Sequence, residues 1–283
     1  MYRLIILFLF TIVFFSCEDG APQTEQKTAQ SRVVSLSGSI TETLFMLGWG
    51  DKLVGVDVTS TYPSMISKLP TLGHARSIQT EAVLALNPTH IFLVKDEVNP
   101  ELISKWKSAG VSVIEISKEY SIEGCKNSIS EIARALNQEE ESKEVIADIE
   151  LQYRTLKDTM TDVRVLFIYA RGGGNLMVAG TNTPVANMIH LAGAQNAITE
   201  FEDYKPLSIE YLIKSNPQVI LMFDTGFDAI GGLDGLEKIP GVAETDAYEN
   251  KRIVTMDGQL LSGFGPRVVD GISELRTRLF LRN

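Results

Sequence analysis

The chain of 283 residues is long enough for two domains of ordinary size, and 44% of it is apolar, which excludes a disordered tail or a disulfide-stapled mini-protein. Acidic residues outnumber basic ones by 36 to 26, for a formal charge of −10, and a chain that repels phosphate on average is not built for general nucleic-acid binding. Of the two cysteines, Cys17 belongs to an N-terminal processing signal, which leaves Cys125 alone and excludes an internal disulfide in the mature body.

Met1–Arg3 is a minimal charged start, and Leu4–Phe15 is an apolar run broken only by Thr11. The run is too short to span a bilayer and reads as the core of a signal peptide. It ends in Phe14-Phe15-Ser16-Cys17, which resembles the lipobox of bacterial lipoproteins, where the cysteine is lipidated and becomes the first residue; an ordinary signal peptide with a chance cysteine is the alternative. Residues 18–31 are polar and aperiodic, as a tether would be.

From Arg32 onward, short β-rich runs alternate with helical ones: Val33–Leu36, Thr41–Leu47, Leu53–Val56, Ile91–Val94 and Val111–Ile116. The pattern starts afresh with Arg164–Tyr169, Val219–Phe223 and Arg252–Met256. Such alternation predicts βαβ units around parallel sheets, hence an α/β fold of two lobes. An internal echo supports the division. Glu81–Pro88 followed by Ile91-Phe92-Leu93 lines up with Glu210–Pro217 followed by Ile220-Leu221-Met222, each a helix that stops before Asn-Pro and leads into a buried strand. Between the lobes, residues 138–161 hold no Gly or Pro and carry Val145, Ile146, Ile149, Tyr153 and Leu156 among many charges. They predict a single long linking helix, about 36 Å if continuous. The expected organisation is a signal peptide at 1–17, a tether at 18–31, one lobe at 32–137, the linking helix at 138–161 and a second lobe at 162–283.

Catalytic motifs are scarce. The run Gly172-Gly173-Gly174 follows a strand but lacks the rest of a phosphate-binding loop, and neither H-E-x-x-H, C-x-x-C nor G-x-S-x-G occurs. Three histidines make a protein-only multi-histidine metal site a poor expectation. His74, in Leu72-Gly73-His74-Ala75-Arg76-Ser77, offers an imidazole to a metal, and Arg76 offers a guanidinium to a carboxylate. A solvated surface histidine is the competing reading. His190 and His90 read as packing or helix-face residues.

Several segments in fixed order carry a family resemblance: Val34–Glu42, Gly55–Pro63, Val165–Gly173, Met177–Thr181, Ala192–Ala197, Tyr204–Ser208 and Leu261–Arg267. They resemble haem-uptake substrate-binding proteins of ABC importers, within a superfamily that also binds cobalamin and ferric siderophores. The resemblance implies two Rossmann-like lobes bridged by one long helix, with haem held in the ligand cleft between them and handed to an inner-membrane permease with its ATPase, by a lipid-anchored protein of the periplasm that is not an enzyme. In that family a Gly-Tyr-x-Arg motif supplies the axial tyrosine; here it reads Gly73-His74-Ala75-Arg76. His74 is therefore the expected axial ligand, with Tyr62 or Tyr169 as rivals and Arg76 in support. A neutral imidazole favours ferrous haem more than a phenolate does and is lost on protonation. Where some relatives have a histidine for a second haem this chain has Arg171, which implies one haem, with Arg171 facing a propionate or the ring. Met177 and Phe264 are candidates to pack on the porphyrin, and Arg267 to bind a propionate. Glu42 matches a glutamate that docks on the permease, and Glu200 and Glu202 lie near the second-lobe position. The alternatives are a cobalamin or siderophore carrier of the same fold, and a metal-chelatase-like enzyme.

Overall fold

Strands whose alternate residues enter different apolar clusters need covering on both faces, and the chain builds two sheets of this kind. A computed structural model describes residues 31–156, 160–171 and 175–280, with Arg171 described by its backbone alone. The expected signal peptide, Cys17 and tether residues 18–30 lie outside the described residues.

The first lobe runs β1 (Val33–Ser35), α1 (Gly38–Met46), β2 (Leu53–Val56), α2 (Thr80–Leu84), β3 (His90–Val94), α3 (Pro100–Ser108) and β4 (Ser112–Ile116). Two helices follow, α4 (Ile122–Leu136) and α5 (Glu139–Thr155). Its sheet is parallel throughout, in the order β2-β1-β3-β4. Phe92 and Val94 enter one core, and Ile91 and Leu93 enter the core on the opposite face.

The second lobe runs β5 (Arg164–Arg171), β6 (Asn175–Ala179), α6 (Pro184–Leu191), β7 (Gln195–Asn196), β8 (Tyr204–Pro206), α7 (Ile209–Ser215) and β9 (Val219–Phe223). It closes with α8 (Asp224–Ala229), α9 (Gly232–Glu237), α10 (Asp246–Glu249), β10 (Ile253–Met256), α11 (Gly258–Ser262) and α12 (Val268–Phe280). Strands β10, β9, β5 and β7 are parallel, whereas β6 and β8 add an antiparallel flank. Arg171 pairs with Asn175, so the element after Gly172-Gly173-Gly174, which lie outside the described residues, is a strand and not the helix of a phosphate-binding loop.

The sequence echo is structural. β3 and β9 begin and end at positions 129 apart, and both asparagines that close the preceding helices, Asn87 and Asn216, take positive φ, 47° and 32°. Asparagine tolerates this left-handed corner better than most residues because its short side chain bonds locally. The parallel strands repeat in the same spatial order, β2-β1-β3-β4 against β7-β5-β9-β10.

The helix expected over 138–161 is α5, about 25 Å long at 1.5 Å per residue. It is separated from α4 by Asn137 in the left-handed region (φ 55°) and ends where Leu156 turns extended. Ile149 on α5 and Cys125 and Ile129 on α4 belong to the same core as Val165, Phe167, Phe264 and Val268 of the second lobe. This shared core ties the lobes together. Ile149→Ala should lower stability by about 2–5 kcal/mol while urea unfolding remains one cooperative transition. Two resolved transitions in the parent chain would show that the lobes do not share a core.

Candidate functional site

In parallel α/β sheets, ligands bind beyond the carboxyl ends of the strands. Here those ends from the two sheets face each other. Residues that follow β1, β2 and β4 meet residues that follow β10, and the seam between them carries a buried polar node.

The node centres on Gln259 of α11, which is buried. Its Oε1 accepts from the Thr61 amide (2.6 Å), the Thr61 hydroxyl (2.9 Å) and the Tyr62 amide (3.1 Å). Its Nε2 donates to the Gly38 carbonyl (2.9 Å) and to Glu42 Oε1 (2.5 Å). The same Glu42 oxygen accepts from Arg267 Nη2 at 2.5 Å. Gly38 has to be a glycine for this approach, because a Cβ there would sit 2.6 Å from the Thr59 carbonyl and 2.8 Å from Gln259 Cδ. Behind the node, Asp57 accepts from the hydroxyls of Thr59 and Ser60 (2.6 and 2.7 Å), and Thr41 bridges Ser35 and Ser60.

This geometry bears on three of the expected site residues. Glu42 is 4% exposed and engaged inside the seam, so it is not a surface contact for a permease. Arg267 spends its charge on Glu42, and its guanidinium lies 3.7 Å over the Tyr62 ring, which makes it a seam residue before it is a propionate ligand. Phe264 is buried in the shared core and packs on Tyr120 at 5.6 Å, so no face of it is open to a porphyrin.

Beside the node runs an aromatic wall. Tyr169 packs on Tyr204 (6.0 Å between ring centres) and Phe223 (5.6 Å). Burial, helped by the neighbouring Tyr120 and Tyr169 hydroxyls, pushes the Tyr204 phenol well above its ordinary range. Burial also raises Tyr120, assisted by Glu97 and opposed by the positive charge of Arg76. That opposition places the Arg76 guanidinium within electrostatic reach of the wall. His74 opens the same 3-10 turn, Ala75–Ser77, and is exposed; the preceding Gly73 carbonyl accepts from the Val58 amide beyond β2. Tyr62 is 47% exposed but covered on one face by Arg267. Met177 is half-buried on β6, where it lines a cavity of about 590 Å³ with Asn175, Pro206 and Ser208. Arg171 ends β5 beside this region, and its side chain lies outside the described residues. Glu200 is taken up by Lys214 at 2.9 Å, and Glu202 is exposed.

Gln259, Tyr120 and Lys118 are the residues that sequence reasoning missed. The last two follow β4, and the rule that ligands gather at carboxyl strand ends would have found them. Cys125 is inert: its thiol donates to the Gly265 carbonyl at 3.1 Å, and burial pushes it up to about 12.

Burial raises the Glu42 carboxyl more than Arg267 and Gln259 lower it. A carboxyl raised in the folded state contributes most below its unfolded pKa of about 4.3, and that contribution is lost as pH rises through the shifted value. Glu42→Gln should therefore gain stability relative to the parent between about pH 4 and pH 7 in parallel urea titrations. A difference that stays constant with pH, or moves the other way, would contradict this account of the node.

Residues 33–260 match the periplasmic binding protein family. Among solved structures, the chain is similar to the periplasmic heme-binding protein RhuT from Roseiflexus sp. RS-1 in apo form, at 35% identity over 89% of this chain and 98% of that one, with a TM-score of 0.83. It is also similar to the periplasmic heme-binding protein BhuT in complex with two hemes, at 32% identity over 88% and 97%, with a TM-score of 0.82. Among curated proteins it resembles the ABC transporter substrate-binding lipoprotein YvrC of Bacillus subtilis (25% over 261 residues, 90% of this chain and 81% of YvrC). The cobalamin-binding protein of Halobacterium salinarum matches at 25% over 254 residues, 86% of this chain and 68% of the relative. With most of its length matched and the seam geometry in place, the chain belongs to the periplasmic binding protein family.

Proposed function

We propose that the chain is the substrate-binding component of an ABC importer, that it captures haem in the crevice between its lobes, and that it is not an enzyme. The observation that supports this reading is the chemistry at the strand ends, where Tyr169 packs on Tyr204, Tyr120 feels the positive charge of Arg76, and His74 shares the short turn of that arginine. An apolar macrocycle with a metal and two carboxylates matches that set: aromatic faces for the ring, a nitrogen ligand for the iron, a cation for the carboxylates. The likeness to structures described as periplasmic heme-binding proteins supports the same cargo.

His74 is the proposed axial ligand. Tyr62, the first rival, has its ring capped by Arg267 and its amide held by Gln259, which ties it to the seam. Arg76 supports the bound haem, Arg171 and Met177 border it on the second lobe, and the stoichiometry is one. The protein is proposed to be held at the periplasmic face of a membrane by lipid on Cys17.

For the permease, the repeat supplies a pair in place of Glu42. Glu81 on α2 and Glu210 on α7 are equivalent in the two lobes, exposed, and in the first turn of their helices. A helix that feeds a parallel strand begins at that strand's carboxyl side, so both acids belong to the rim of the crevice. Carboxylates so placed suit basic residues of an importer.

Haemin added to the purified mature protein should give a saturable Soret shift at one equivalent, and His74→Ala should change that spectrum and weaken binding at least tenfold. Tight cobalamin binding with no Soret shift would replace haem by cobalamin, the cargo named for the Halobacterium relative. A spectrum changed by Tyr62→Phe and untouched by His74→Ala would move the ligand. Separately, Glu81→Arg with Glu210→Arg should leave haemin affinity intact and abolish stimulation of the importer's ATPase. Full stimulation by that double variant would place docking elsewhere.

A further inference from the structure

We infer that Lys118 is an anion-recognition residue of the crevice, its ammonium binding a carboxylate of the cargo from the floor formed by the loop after β4. The inference rests on the haem reading and adds to Arg76 a second cation for the two propionates.

Lys118 follows β4 directly, two residues past Ile116, at the carboxyl edge of the first sheet. Its Nζ lies 5.8 Å from the centre of the Tyr120 ring, which itself stands within electrostatic reach of Arg76, Asp203 and Tyr204. The ring beside the Lys118 ammonium is thus the one that feels the positive charge of Arg76. Partial burial lowers the pKa of its ammonium although Glu97 and Asp57 pull the other way. Neither acid is bonded to it. Asp57 gives its two oxygens to the hydroxyls of Thr59 and Ser60. Among the described residues no carboxylate lies within 4 Å of Lys118, whereas Lys126, one helix away, is paired at 2.8 and 2.7 Å with Glu123 and Glu150.

An ammonium partly stripped of water and given no carboxylate is unfavourable. The side chain is nevertheless partly exposed, so a ligand entering the crevice can reach it. A carboxylate bound there would supply the missing counter-charge in a setting where charge-assisted hydrogen bonds are strong. Lys118 is far from Arg76 in the sequence, yet both charges act on Tyr120, so that a dicarboxylate would find two cations on one lobe.

Haemin and haemin dimethyl ester, whose propionates carry no charge, separate this role from mere packing. The parent protein should bind haemin about tenfold or more tightly than the ester, the range expected of one charged hydrogen bond. Lys118→Met should weaken haemin by a similar factor while leaving ester affinity unchanged, and ester binding shows that the variant is folded. Lys118→Arg should restore the preference for haemin. Equal weakening of both ligands, or no weakening of either, would overturn the assignment while haem binding itself stands. No Soret shift with either porphyrin in the parent protein would overturn the cargo reading first, and this inference with it.

Discussion

One carboxylate oxygen, Glu42 Oε1, accepts a hydrogen bond from Gln259 and another from Arg267, and the relation of the two lobes depends on that meeting. Glu42 lies on the first helix of the chain's first lobe, and its partners lie 217 and 225 residues later. Removing a carboxylate from water costs several kcal/mol unless charge and hydrogen bonds replace the lost hydration. Arg267 supplies the charge and Gln259 the directional bonds. Because Gln259 also holds Thr61, Tyr62 and Gly38, a change in lobe angle would strand several buried polar groups at once, each at about 1–3 kcal/mol. The shared apolar core under α4 and α5 resists the same movement through packing. A crevice bounded in this way is largely formed before its cargo arrives, which spares the ordering cost that a loose pocket would have to meet on binding.

The duplicated architecture explains where that crevice lies. Each lobe sends parallel strands toward the seam, so the loops richest in functional side chains come from both lobes and meet there. Where the lobes differ, the difference is local. The second lobe extends its sheet with the antiparallel strands β6 and β8, and these carry Met177 and Tyr204. The first lobe instead carries a long excursion between β2 and α2, which brings Tyr62, His74 and Arg76. A common frame thus carries an aromatic side on the second lobe and a side with His74 and Arg76 on the first.

Much of the frame was legible. Buried strands announced themselves as apolar runs, and the Asn-Pro corners marked both helix ends at the same repeat offset. The antiparallel flank was not, because Tyr204-Lys205-Pro206 is short, and only its register with Met177–Ala179 makes it a strand. Glu42 was misread for a related reason. A glutamate near a helix start reads as solvated and dipole-stabilised, and nothing nearby in sequence signals that an amide and a guanidinium from the far end of the chain will close over it. Phe264 illustrates the limit for apolar residues, since a phenylalanine that could face a ligand and one that fills a core look identical until Tyr120 is found packed against it. It also holds a positive φ of 52°, a backbone state costly for a bulky residue and one that the close packing around it must sustain.

The net charge of −10 at first argues against an anionic cargo, and distance resolves the conflict. Surface charges farther away than a Debye length, about 8–10 Å at moderate salt, are largely screened, while a cation inside a poorly solvated crevice acts at close range and nearly unscreened. Acidity on the outside keeps the protein soluble without cancelling a few sheltered cations. On the proposed reading, it also lets Glu81 and Glu210 face a basic partner while Lys118 and Arg76 face the cargo. Opposite signs at the rim and floor of one crevice allow a single face of the molecule to hold an acidic ligand and meet a membrane partner at the same time.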